Sequence, residues 1–265
     1  MKKTAAILIP VVAVVPVSKL CAALSISVIP PILEISVPPG GEKAFKLTVK
    51  NTGSIKVVMT PSVMDLELSP TGAALPMDLG TSSWSCADWV GMDTQQFVLG
   101  PGEKKETEVL FKVPRGVSGG RYCVIIFEAN PRGADEEQAD LAISARTGTI
   151  IMESIPRRAV RSGEISEVDV TEGSGAVDIV AYFRNTGNIH VGIRPGCVIR
   201  NSDGRIIDRV KMSAGTGTVL PEGTRRISGA WTNERKMEPG TYTAEVSADF
   251  KGGRRATQSV QFSID

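Results

Sequence analysis

FVLGPGEKKETEVLFKVPRGVSGGRYCVIIFE, residues 97–128, is the stretch whose pattern decides the fold. Thr107, Val109, Phe111 and Val113 fall at every second position, with Glu106, Glu108 and Lys112 between them. That period places one set on a core face and the other in water, the signature of a half-buried strand. Pro114 ends the strand because it has no N–H for the ladder. Gly116, Gly119 and Gly120 permit a return. Tyr122 to Phe127 is apolar at almost every position and reads as a central strand covered on both faces. Two antiparallel strands joined in this way are half of a sandwich sheet.

Working outward, strand patterns recur on both sides. Pro30-Pro31 interrupts the first segment, Leu24 to Val37, and marks an edge strand that switches or bends. Phe45, Leu47 and Val49 alternate inward, and Asn51-Thr52-Gly53 closes that strand with residues that tolerate positive φ. Ser69 to Gly80 reads as a Pro/Gly-rich loop, and Ser83 to Val90 as a short strand carrying Trp84, Cys86 and Trp89. Ala129 to Asp140 is a polar, acidic loop. Strand character resumes from Leu141 to Ile155, with Leu141, Ile143 and Ala145 alternating.

The plan then repeats. Ile165, Val168 and Val170 form an imperfectly alternating strand, and Val177, Ile179, Ala181 and Phe183 a clean one closed by Asn185-Thr186-Gly187. Ile189–Ile193 and Gly196–Arg200 are read as separate strands before a hairpin at Ser202-Asp203-Gly204. Asn51 to Tyr122 spans 71 positions and Asn185 to Tyr242 spans 57, so extra loop near 69–92 absorbs the difference. No segment keeps a helical period. The fold class is all-β: two tandem immunoglobulin-like β-sandwich domains, over residues 24–156 and 157–265.

Residues 1–23 read as a signal peptide, with Lys2 and Lys3 before the apolar run Ala5–Val17 and a cleavage after Ala23. That run is too short for a stable membrane span. Its removal leaves 27 basic residues against 29 acids, a net charge of −2, which provides no footprint for nucleic acid. The expected location is the periplasm or surface of a bacterium, where disulfides persist. Cys86 and Cys123 are then expected to pair as a disulfide, with two buried thiols as the alternative, and Cys197 is a small buried hydrophobe.

Catalytic chemistry finds little support. His190 is the single histidine, so paired-His metal sites are excluded and no nucleophile–base–acid set is recognisable. Ala214–Thr218 lacks the Lys-Ser/Thr of a phosphate loop, and residues 135–140 lack calcium-loop spacing. The expectation is no catalytic residue, no metal and no cofactor. Trp84 and Trp89 are expected in the core, Arg157, Arg158 and Arg161 at a charged joint, and Tyr122 and Tyr242 as tyrosines whose hydroxyls tie down a loop.

The runs GEKAFKLTVKNTG (41–53), WV…FVLGPGEKKETEVLFKVP (89–114) and GGRYCVIIFE (119–128) resemble the PapD-like immunoglobulin fold of bacterial periplasmic pilus chaperones and of related exported chaperone-like proteins. FRNTGNIHV (183–191) and EPGTYTAEV (238–246) resemble the partner module of such proteins. The resemblance implies a chaperone-like role in which the long hairpin 121–155, through Leu141, Ile143 and Ala145, adds a strand to an extended segment of another envelope or surface protein. The family also holds a subunit's terminal carboxylate with an Arg and a Lys in the inter-domain cleft. Pro31 to Val37 contains no basic residue; Arg146 and Arg157 are the nearest replacements. The alternative reading is a structural or adhesive surface module binding cell-wall or glycan components, motivated by the long 69–92 insert.

Overall fold

Alternation does become strand. In this computed structural model the described residues are 23–131, 144–155, 158–173, 175–232, 238–250 and 254–264. They form eighteen strands and a single 3-10 turn.

The first ten strands are β1 (Ile26–Ile29), β2 (Ile32–Ile35), β3 (Glu42–Asn51), β4 (Val57–Leu68), β5 (Ala74–Met77), β6 (Val90–Met92), β7 (Phe97–Leu99), β8 (Lys104–Lys112), β9 (Gly119–Pro131) and β10 (Ala145–Ile155). They make two sheets, ordered β1-β3-β8-β6 and β2-β10-β9-β4-β5, with β7 also paired to β4. The Pro30-Pro31 interruption is a sheet switch. β1 pairs antiparallel with β3, whereas β2 crosses to the other sheet and runs parallel to β10.

The remaining strands are β11 (Gly163–Glu172), β12 (Ala176–Asn185), β13 (Val191–Asn201), β14 (Ile206–Val210), β15 (Thr218–Val219), β16 (Thr224–Thr232), β17 (Gly240–Phe250) and β18 (Arg254–Ile264). They give a second pair of sheets, β11-β12-β16 and β14-β13-β17-β18, with β15 on β13.

Each pair of sheets encloses its own apolar core. Leu47, Val49, Val109, Phe111, Cys123, Ile125 and Phe127 fill the first, and Val177, Ile179, Phe183, Ile199, Ile227 and Val246 the second. β9 is covered on both faces, as its unbroken apolar run requires: Cys123, Ile125 and Phe127 face the core, while Tyr122, Val124 and Ile126 face outward onto Leu66, Met152 and Leu220.

The imperfect alternation of Ile165, Val168 and Val170 is a bulge. The β11–β12 register slips between Ile165 and Glu167, and one extra residue restores Val168 and Val170 to the face of Ile165. Three readings are corrected. Ser83 to Val90 is not a strand but a turn and the 3-10 helix Ala87–Trp89, leading into β6. Ser69 to Gly80 is not all loop, because β5 pairs with β4 there. Val191–Ile193 and Gly196–Arg200 are parts of one continuous strand, β13, carried through Pro195, and Ile189 and His190 belong to the turn before it.

The repeated Asn-Thr-Gly motif works by a mechanism other than positive φ. Asn51 is fully buried, and its Nδ2 donates to the carbonyls of Ile55 (2.7 Å), Gly100 (3.1 Å) and Leu99 (3.2 Å). Asn185 repeats this with Ile189 and Val219, both at 2.9 Å. In each motif the glycine N–H bonds back to the asparagine Oδ1. Neither glycine is in the left-handed region. Glycine is required by close approach: a Cβ at Gly53 would collide with the Ala23 carbonyl, and one at Gly187 with that of Val160.

Candidate functional site

β10 presents the incompletely paired edge of its sheet. It pairs with β9 from Ala145 to Ile155, but β2 covers only Ile150 to Glu153 on the other side. The Ile150 N–H donates to the Pro31 carbonyl at 3.0 Å, so it points away from β9. Strand alternation then turns the backbone groups of Gly148 and Arg146 toward the same side, which β2 leaves unpaired and where β1 passes close to β10 without forming a ladder with it. β2 is held here by short contacts: the Thr149 hydroxyl donates to the Pro30 carbonyl (2.7 Å) and the Ser36 hydroxyl to the Ser154 carbonyl (2.8 Å). Two large apolar side chains stand in water beside this edge, Ile29 at 64% exposure and Ile32 at 51%. Neither stood out in the sequence, where both are ordinary strand residues next to the prolines.

Of the residues expected to contact a partner, Ala145 is the first residue of β10 and is half-buried. Leu141 and Ile143 lie outside the described residues, as do the acidic residues 135–140 and Arg157. Arg146 does not serve a cleft. Its Nε lies 2.6 Å from Glu128 across the ladder, at the end of β10 away from the second sandwich.

The joint between the sandwiches is built on the start of β9. Gly120 N–H donates to the Asn188 carbonyl at 2.7 Å, and a Cβ at Gly119 would strike that same oxygen. Tyr122, expected to tie down a local loop, instead reaches across: its hydroxyl oxygen accepts the His190 N–H at 2.7 Å, and its ring meets the His190 imidazole edge-on. Burial raises the Tyr122 pKa above its ordinary value, against lowering by the His190 N–H. Tyr242 does what was expected, donating to the Glu238 carbonyl at 2.9 Å.

Leu220 packs on the outward face of β9, and the Arg226 N–H donates to the Pro70 carbonyl at 2.8 Å. Beside these contacts lies a cleft of about 330 Å³, lined by Leu66, Leu68, Ser82, Trp84, Leu220 and Glu222 among others. Trp84 therefore belongs to the joint, with the Arg121 guanidinium over its ring, whereas Trp89 packs in the first core against Phe111. Arg225 is wholly buried at this joint. Its Nη2 donates to the Thr218 carbonyl, and burial lowers its pKa.

Four buried titratable groups, Asp65, Cys86, Cys123 and Glu153, cluster where β4, β9 and β10 run side by side. Asp65 lies opposite Cys123 in the β4–β9 ladder. Its carboxylate accepts the N–H groups of Thr81 and Ser82, both at 2.9 Å, and the Ser85 hydroxyl at 2.5 Å. Burial alone would raise its pKa, but these bonds outweigh it and leave the group below its ordinary value. The Cys86 and Cys123 sulfurs are 3.3 Å apart, both as buried thiols. Glu153 is fully buried; Oε1 accepts the Val37 N–H at 2.8 Å and Oε2 has no partner. Burial pushes its carboxyl up to about 7, against lowering by the Val37 N–H and Lys43. Cys197, in the second core, is pushed up to about 12 by burial. Among the described residues no set of three or more His, Cys, Asp or Glu side chains could hold a metal, and no helix is long and apolar enough to cross a membrane.

No family model matches the chain, and no curated protein is similar to it. Solved structures of similar shape include the YadV chaperone (8% identity over 89% of this chain and 99% of that chain, TM-score 0.44). They also include the class 5 fimbriae chaperone CfaA (13% identity, 91% and 99%, TM-score 0.44). A third is the CsuC–CsuE chaperone–tip adhesion subunit pre-assembly complex from archaic chaperone-usher Csu pili of Acinetobacter baumannii (10% identity, 89% and 97%, TM-score 0.43).

Proposed function

We propose that this chain is an exported, non-enzymatic, chaperone-like protein that holds an extended segment of another envelope or surface protein by strand addition along β10. The observation that carries the reading is the stretch of β10 at Arg146–Gly148 that has no ladder partner on its outer side, flanked by exposed Ile29 and Ile32. Unpaired backbone groups supply the hydrogen bonds of an added strand, and apolar side chains beside them supply burial for its alternate residues. The motif resemblance of the first sandwich points to the same role. Part of the 69–92 insert that motivates the adhesive alternative serves the fold instead, as β5, the Asp65-bound turn and the joint.

The test is to block the edge without unfolding the sheet. Arg146→Pro removes an N–H that faces the open side, which an edge strand tolerates. Its lost surface ion pair with Glu128 contributes little, and Arg146→Ala controls for it. Affinity for extended peptides of alternating apolar residues, drawn from candidate envelope clients, is expected to fall at least about tenfold in Arg146→Pro, the loss of one or more backbone hydrogen bonds, and to persist in Arg146→Ala. Equal binding by a folded Arg146→Pro protein removes the proposal.

A further inference from the structure

We infer that Cys86 and Cys123 close a disulfide in the exported chain, and that Asp65 is the positioning residue that delivers Cys86 to it. Three observations converge. Ser85 bridges to Tyr122 in parallel, with the Tyr122 N–H donating to Trp84 O (2.8 Å) and the Cys86 N–H to Tyr122 O (3.2 Å). The next residues along each chain, Cys86 and Cys123, therefore stand side by side at about strand spacing, roughly 4.8 Å, inside the range that a disulfide spans. Their sulfurs already lie 3.3 Å apart, so closing the bond needs a movement of only about 1.3 Å. Finally, the Asp65 carboxylate, opposite Cys123 on β4, grips the turn 81–85 through Thr81, Ser82 and Ser85, and so sets where Cys86 emerges.

The chemistry is thiol–disulfide exchange with a small-molecule or protein disulfide as oxidant. The Cys86 thiolate attacks one sulfur of that disulfide and expels the other as a thiolate. The Cys123 thiolate then attacks the Cys86 sulfur, forms the Sγ–Sγ bond and expels the second. Two cysteine protons are lost and the oxidant is reduced to two thiols. In the closed fold both sulfurs are buried, and burial holds the Cys86 thiol well above its ordinary pKa. Exchange therefore belongs to the stage before residues 81–92 pack over β9, and the finished bridge is shielded from reductant.

The inference rests on export for its oxidising surroundings, but its test is independent of client binding. The full chain is refolded in glutathione redox buffer, alkylated in denaturant without reductant, and mapped by mass spectrometry. A linked pair of peptides carrying Cys86 and Cys123 is expected, with Cys197 alkylated. Recovery of Cys86 and Cys123 as alkylated thiols, or linked to other cysteines, overturns the bridge. Ser85→Ala keeps both cysteines and removes one Asp65 contact together with the Ala87 N–H bond to the same hydroxyl (3.0 Å). Its bridge is expected to form roughly two- to tenfold more slowly, the equivalent of one hydrogen bond. An unchanged rate overturns the role given to Asp65.

Discussion

Replacing Glu153 by Gln is expected to stabilise the protein in a way that switches on with pH. Glu153 is fully buried on β10, one oxygen holding the Val37 N–H and the other without a partner. Burial favours the uncharged acid and raises its pKa from 4.5 to about 7. The folded state therefore binds this proton more tightly than the unfolded chain does. Stability from the group is fully present below pH 4.5, falls as the pH rises from there to about 7, and is wholly lost above it. The rise from 4.5 to about 7 corresponds to about 3 kcal/mol, a sizeable part of a domain's stability. Glutamine keeps an oxygen for the Val37 N–H and carries no charge. Urea unfolding followed by tryptophan fluorescence, at pH 5 and pH 8.5, should give a stability difference between variant and wild type that grows by up to about 3 kcal/mol at the higher pH. A difference of equal size at both pH values, or a variant less stable at pH 8.5, would refute the reasoning.

Further outcomes follow from single residues. Asn51→Ala and Asn185→Ala each strand two or three backbone carbonyls in a core and should cost about 2–4 kcal/mol, read as a lowered urea midpoint. Glu222 holds φ at +63°, at the place in the second sandwich that Gly102 occupies in the first; Glu222→Gly should therefore raise the melting temperature, by up to about 1 kcal/mol of stability. Tyr122→Phe removes the acceptor of the His190 N–H and should cost about 1–3 kcal/mol, with faster amide exchange at His190. Asp65→Asn should weaken the protein at neutral pH and flatten its stability loss in acid, because the lowered Asp65 pKa gives a contribution that disappears as the pH falls through it.

Much of the scaffold was legible because burial imposes a period. The alternation from Thr107 to Val113 and the unbroken run Tyr122–Phe127 each report directly how many faces of a strand are covered. Pro30-Pro31 marked the sheet switch for an equally local reason. Where several interactions compete, the pattern failed. Ser83–Val90 has strand composition, but Asp65 binds the N–H groups of Thr81 and Ser82 just before it and the Ser85 hydroxyl within it, which holds the segment as a turn with a single bridge, Ser85 to Tyr122, ahead of β6. Trp84 and Tyr122 sit among core-type neighbours, yet they face the second sandwich, which no local period records. Asn-Thr-Gly was found as a turn, but its three-carbonyl clamp is visible only once Leu99 and Gly100 return to it from 48 and 49 residues away. A repeat did hint at this: Leu99-Gly-Pro-Gly-Glu103 and Val219-Leu-Pro-Glu-Gly223 carry the same turn against each asparagine. At the candidate site, the antiparallel pairing of β9 with β10 was legible, whereas the exposure of Ile29 and Ile32 depends on how short β2 is.

Hydrogen exchange at the Arg146 and Gly148 amides, with and without a bound client peptide, tests the strand-addition account most directly. Their N–H groups are expected to exchange freely in the unbound protein and to slow at least about tenfold in the complex, as each gains a backbone acceptor. A saturated complex in which both amides exchange at the unbound rate would contradict it.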